Sequence, residues 1–130
     1  MLGQDKIREI SDRILTLSTA DQTEVICFSG QSELTRFANS HIHQNGAETN
    51  VSVSVRVVLG KRIGVAATND VSPGSLQRVV ETALEIAEFQ PENPDFISLP
   101  EPAPIASVDA YEEATASYTP EDRARAIGII

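Results

Sequence analysis

The stretch "NVSVSVRVVLGKRIGVAATND", residues 50–70, decides the fold. Successive side chains of an extended chain point to opposite sides. Val51, Val53, Val55 and Val57 therefore share one face, and Ser52, Ser54, Arg56 and Val58 share the other. "LGKR" turns the chain, and "IGVAAT" returns with Ile63, Val65 and Ala67 alternating. The segment is predicted to be a β-hairpin whose valine-rich face must be covered by another element.

Two amphipathic helices are available to cover it. After the hairpin, "NDVSPGSLQ" reads as a helix start, with Ser72 at the N-cap and Pro73 at the first helical position, where its missing N–H costs nothing. That helix directs Leu76, Val79, Val80, Ala83, Leu84 and Ala87 inward; Gln77, Arg78, Glu81, Glu85 and Glu88 face out. Near the start of the chain, from Asp5 to Leu17, Ile7, Ile10, Ile14 and Leu17 step by three and four along one helix face. Between this helix and the hairpin, "EVICFSG" and "ELTRFANSHIHQ" read as two further strands. Asn45-Gly46 supplies a tight-turn signal after them. The expected fold is α+β: an antiparallel sheet of about four strands packed against two amphipathic helices.

Beyond Phe89, five prolines fall between Pro91 and Pro104, so an extended, acidic connector is expected there. Thr119-Pro120-Glu121-Asp122 then looks like another helix start, with acids in the first turn favoured by the helix dipole. The expected organisation is an α+β domain over 1–90, a proline-rich connector over 91–118, and the start of a helix over 119–130 leading into a following domain. An end at "RAIGII" is what a chain cut from a longer one would show. Ile127, Ile129 and Ile130 are then expected to be frayed or to pack against a second copy.

The chain has 130 residues, 41% of them apolar, which is ordinary for a globular domain. No apolar run reaches the roughly 18 residues of a membrane span, and the first residues lack the apolar core of a signal peptide. The single cysteine, Cys27, excludes an internal disulfide framework and fits a reducing cytoplasm, as a small buried hydrophobe. The net charge of −9 is uneven: residues 1–70 hold eight acids and seven bases, residues 71–130 eleven acids and three bases. There is no basic stripe to follow phosphates, so neither direct nucleic-acid binding nor a membrane partner is expected.

The one concentration of polar chemistry is "TRFANSHIHQN", residues 35–45. His41 and His43, two apart on a strand, would project to one side, but a zinc site needs at least a third protein ligand. Glu33, Glu48 and Cys27 are the nearest donors in the sequence, and nothing in their spacing fixes them around the histidines. There is no G-x-S-x-G for a serine nucleophile, and "LGKR" lacks the spacing of a phosphate loop. Arg36 and Arg56 lie within predicted strands and are expected to pair with neighbours or face solvent. From residue chemistry alone the chain is an α+β domain with no visible catalytic centre.

The order of these elements is more specific than their composition. "TRFANSHIHQN" followed by "VSVRVVLGKRIGVAATND", a helix opening at Ser72-Pro73, and a proline-rich "PDFISLP" segment resemble the N-terminal domain of the TldD/PmbA family from Thr35 to Pro100. The resemblance implies a family of zinc-dependent peptidases, once labelled modulators of DNA gyrase, in which one kind of subunit carries zinc and its paralogous, non-catalytic partner does not; the parent of this chain is expected to be one or the other. The resemblance implies that zinc is held by an H-E-x-x-x-H helix in a C-terminal domain. This sequence has no such motif, so no catalytic, cofactor-binding or metal residue is carried over, and no cofactor is expected here.

What the resemblance implies is a non-catalytic N-terminal domain of a metallopeptidase subunit. Such a domain contributes to dimer assembly with an identical or paralogous subunit and to the access of unfolded peptide or protein substrates. Asn39, His43 and Gln44 are the residues expected to contact a peptide or partner, since an edge strand can take up an extended peptide by strand addition. The competing expectation is a freestanding protein-binding or regulatory module, including one that modulates a DNA enzyme. At a net charge of −9 any such effect would run through protein contacts.

Overall fold

The computed structural model describes residues 2–39, 41–101, 103–104 and 106–128. Helix α1 spans Gln4–Leu17, strands β1, β2 and β3 span Gln22–Ala38, His41–Leu59 and Arg62–Thr68, and helices α2, α3 and α4 span Pro73–Phe89, Glu113–Ala116 and Pro120–Ile127. The strands form one sheet in the order β1-β2-β3. Contact density divides the chain into two compact units, Met1–Gly30 with Thr49–Glu101, and Gln31–Glu48 with Pro102–Ile130.

In the first unit the valine face behaves as its alternation requires. Val53, Val55 and Val57 are fully buried, and they join Ile10 and Ile14 of α1 and Leu76, Val79, Val80, Ala83 and Ala87 of α2 in one core. Two amphipathic helices on one side of an antiparallel sheet are the expected two-layer solution. Helix α2 starts at Ser72-Pro73, with Ser72 in extended backbone ahead of proline at the first position. The Ser72 hydroxyl makes no bond to the helix's own N–H groups and instead donates to Asp70.

The sheet has three strands where about four were expected, because the stretches read as separate strands are continuous. "EVICFSG" and "ELTRFA" are both β1, and "HIHQ" runs through Asn45-Gly46 into the valine segment as β2. Asn45-Gly46 is thus no turn. The reversal lies between Ala38 and His41, where Asn39 takes φ 50, a left-handed backbone that asparagine tolerates better than most residues. The Arg56–Glu24 ion pair and the Thr35–Asn45 and Arg36–Gln44 hydrogen bonds each join residues whose numbers add to 80, so one antiparallel register holds along the ribbon. A turn at Asn45-Gly46 would have given up that long ladder.

The register of the return strand decides which of its two faces meets the core. A two-residue loop at Gly60-Lys61 pairs Leu59 with Arg62, so Val57 lies beside Gly64 and Val55 beside Ala66. Gly60 has φ 63, at the first loop position, where a two-residue hairpin of the II′ class calls for glycine. Gly64 and Ala66 therefore continue the core face, and Val65, on the opposite face with Ile63 and Ala67, is half exposed. The reason is α2, which packs directly on β3. A Cβ at Gly64 would lie 2.0 Å from the Ala83 carbonyl oxygen.

The connector is pinned before it leaves this unit: the Asn93 amide donates to the Lys61 carbonyl, and the Leu99 amide to the Gln22 side chain. At this end of the ribbon the Asp21 amide donates to the Val58 carbonyl, and Val58 is only 1% exposed although it points away from the core.

In the second unit, α4 opens on a full capping box. The Thr119 hydroxyl accepts from the Asp122 amide while the Asp122 carboxylate accepts from the Thr119 amide. Its Arg123 donates from Nε to Thr35 (2.8 Å) and from a terminal nitrogen to Glu33 (2.8 Å) on β1, and also reaches the Tyr118 carbonyl. Ile127 is 8% exposed, so this isoleucine is covered within the chain and not left for a second copy. Ile129 and Ile130 lie outside the described residues.

Candidate functional site

The polar stretch singled out in the sequence forms the closed end of the β1–β2 ribbon. Asn39 makes the turn. Its carbonyl lies 2.8 Å from His41 Nδ1, and the Ala38 carbonyl lies 3.3 Å from His43 Nε2. A carbonyl can only accept, so the ring hydrogen sits on Nδ1 of His41 and on Nε2 of His43. Gln44 accepts from the Arg36 guanidinium at 3.3 Å directly across the ladder. All three expected contact residues, Asn39, His43 and Gln44, are exposed. His43 shares a face of β2 with His41 and Asn45, and Gln44 lies on the opposite face, so the three do not converge on one pocket. What they share is a strand edge: β3 pairs with β2 only from Val53 onward, leaving residues 41–52 without a described strand partner on that side, although Asn45, Gly46 and Ala47 line a small cleft with Pro120 and Arg123 of α4.

The same register separates the histidines from the donors nearest in sequence. Glu33 is paired with Arg123. Glu48 lies on the opposite face of β2 from His41 and His43. Cys27 belongs to the first unit, and the histidines to the second. Among the described residues no group of three His, Cys, Asp or Glu side chains could hold a metal ion. The Cys27 thiol is half buried, and burial raises its pKa above the usual thiol value.

A second polar cluster, in the first unit, was not anticipated. Asp70 accepts from the Ser72 amide at 2.8 Å, the Ser72 hydroxyl at 3.0 Å and the Ser75 hydroxyl at 2.6 Å. The Ser75 oxygen in turn accepts from Arg78 at 2.5 Å. The bond from Ser75, then those from Ser72, hold the Asp70 carboxyl below its ordinary value, with a smaller contribution from the Arg78 charge. A carboxylate so stabilised is a weak base, and Ser75, buried and engaged on both sides, is not an activated nucleophile. The sequence signal was available as an Asp two residues ahead of a helix-capping Ser, a spacing that favours this local turn. Ser75 and Arg78 line a cleft of about 270 Å³ with Ala66, Ala67, Thr68, Val79 and Thr82.

Comparison with known proteins gives the following. Residues 23–87 match the family model for PmbA/TldA metallopeptidase domain 1. The chain superposes on the crystal structure of TldE from Thermococcus kodakarensis with TM-score 0.78 and 14% identity, covering 95% of this chain and 27% of that one. It also superposes on a putative modulator of DNA gyrase from Bacteroides thetaiotaomicron with TM-score 0.68 and 14% identity, covering 96% of this chain and 30% of that one. At such identity the likeness establishes the fold. The chain spans less than a third of the length of either structure. No curated protein matches it significantly. No helix among the described residues is long and apolar enough to cross a membrane.

Proposed function

The chain belongs to the PmbA/TldA metallopeptidase domain 1 family, and from that premise we propose that it is the non-catalytic N-terminal domain of such a peptidase subunit, serving dimer assembly and the access of unfolded peptides. The observation that carries this reading is the family match over 23–87, the stretch that builds the ribbon, β3 and α2. The zinc that the family implies does not fit the described residues of this chain, which gather no ligand set. On this reading any zinc chemistry lies in the further length that the matched structures have beyond this stretch.

The ribbon supports peptide access through its open edge. Main-chain donors and acceptors along residues 41–52 can pair with an extended chain of any sequence, as a substrate known only by being unfolded requires. The test is made in the longer protein that contains this domain. Replacing Asn39, His43 and Gln44 together by Ala should weaken cleavage of a casein-like substrate through KM while bound zinc is retained. Sedimentation reports on dimer assembly. Chelator-sensitive cleavage by the 130-residue chain alone would overturn the non-catalytic assignment. Unchanged KM in the triple variant would overturn the role of the ribbon end.

A further inference from the structure

Strand β3 is the other end of the sheet order and has a described partner on its β2 side only. Three consecutive residues of it, Ala66, Ala67 and Thr68, line the cleft beside α2. Neighbouring strand side chains point to opposite faces, so three in a row can share a cleft only along the strand's backbone edge. The cleft is therefore a groove over main-chain donors and acceptors, and two alanines leave them accessible. Its 270 Å³ falls below the ~300–1,000 Å³ typical of small-molecule pockets.

Natural sheets protect such edges with proline, lysine, bulges or a covering segment. "RIGVAAT" carries none of these devices after Arg62. At the Thr68 end of the groove stands Arg78, exposed, with one described hydrogen bond, to Ser75. A guanidinium has five N–H donors, and no carboxylate lies within ion-pair distance of this one among the described residues. The Ser75 hydroxyl stands between it and Asp70. The groove thus offers an extended strand position that ends at an incompletely used cation.

We propose that the β3 edge and Arg78 form a binding groove for an extended peptide segment, which adds to the sheet as a strand and places a carboxylate on the Arg78 guanidinium. That carboxylate is either the peptide's C-terminus or an Asp or Glu side chain. A second copy of this chain is the poorer occupant, because antiparallel pairing of two β3 edges sets the Arg78 end of each against the Arg62 end of the other. This groove deepens the peptide-access reading above and rests on it, but it lies on a different strand from the ribbon end.

The probe is a fluorescein-labelled eight-residue peptide of alternating valine and serine with a free C-terminus, titrated into the 130-residue chain and followed by anisotropy. Arg78→Gln keeps a donor for Ser75 while removing the charge, and its melting temperature checks that the fold is retained. Binding should weaken about tenfold or more in that variant, and C-terminal amidation of the probe should cost the same on the parent chain and nothing further on the variant. An amidated probe carrying one internal glutamate separates the two carboxylate sources: recovered affinity assigns the side chain, and no recovery assigns the C-terminus. N-methylation of every second probe residue should abolish binding by removing edge hydrogen bonds without touching charge. Absence of binding, indifference to N-methylation, indifference to Arg78→Gln, or self-association of the chain that excludes the probe would each overturn the groove. None of these results alters the KM test at the ribbon end, so the two readings fail separately.

Discussion

The carbonyl oxygen of Ala83 lies 2.0 Å from where a side chain on Gly64 would begin, and the Ala87 amide nitrogen lies 2.6 Å from the same point. Helix α2 rests on β3 with no room for one carbon, and the obstacle is backbone, which cannot swing aside. Gly64→Ala should therefore destabilise the first unit by about 3 kcal/mol or more, at or beyond the upper end of ordinary overpacking. Gly46→Ala, also within a strand but with nothing within 4 Å, should be neutral or slightly stabilising. Urea unfolding of the two variants decides between a close-packed α2–β3 contact and a loose one.

The valine face makes a paired prediction. Val55 is fully buried between sheet and helices, and Val55→Asp should unfold the domain by placing an unpaired charge there. Val65 is 50% exposed on the outer face, and Val65→Thr should change stability by less than about 0.5 kcal/mol. Equal melting losses in the two variants would show that the register of β3 is shifted by one.

Arg123 ties α4 to β1 by one charged bond to Glu33 and a bond to Thr35, with its side chain 19% exposed. Arg123→Met should cost about 1–2 kcal/mol within the second unit. Hydrogen exchange should quicken at residues 31–48 and 120–127 while the core amides of β2 and α2 keep their protection. Unaltered exchange at 31–48 would mean that α4 does not hold that end of the ribbon.

Two carboxylates set an acid limit. Asp70 is held below its ordinary value by Ser75 and Ser72, and Asp122 by the Thr119 amide and hydroxyl. A depressed folded value means that each group's stabilisation is present above the unfolded pKa of about 3.9 and is lost as pH falls through the folded one. Melting temperature should therefore decline below about pH 4, and Asp70→Asn should flatten part of that decline. Carboxyl titration by NMR would contradict this if Asp70 titrated at the ordinary value.

The 130-residue chain should carry no stoichiometric zinc. Its two histidines have Glu33 committed to Arg123 and Glu48 on the other face of β2, and no third donor joins them among the described residues. About one zinc per chain by elemental analysis, lost on replacing His41 and His43, would refute it.

The inward face of β2 and both core helices were legible because their apolar periods are long enough to leave one reading. The faces of β3 were not, since "RIGVAAT" alternates equally well in either phase. Its phase is set by the two-residue loop, which pairs odd with even positions, and by the need for glycine under α2. The ribbon's turn was misplaced because Asn45-Gly46 is the stronger local signal. Asn39 wins through the length of ladder it permits, a non-local quantity. The stretch around Asn39, His43 and Gln44 was read as one strand, whereas it holds the reversal at Asn39 with His43 and Gln44 on the returning strand. Its division between two faces depends on register, as does the exposure of Phe28 at 71%. The Asp70–Ser75–Arg78 cluster hid in a loop-to-helix junction that was read only for its cap.

The ribbon with its single register limits how its length can change over generations. A lone insertion in β1 between Glu24 and Thr35 would turn every later side chain over, sending Thr35 away from Arg123 and Arg36 away from Gln44. Only steps of two residues, matched on β1 and β2 together, preserve both faces. Homologous arms should accordingly be longer or shorter by even, mirrored increments, while the turn at Asn39 travels with the tip.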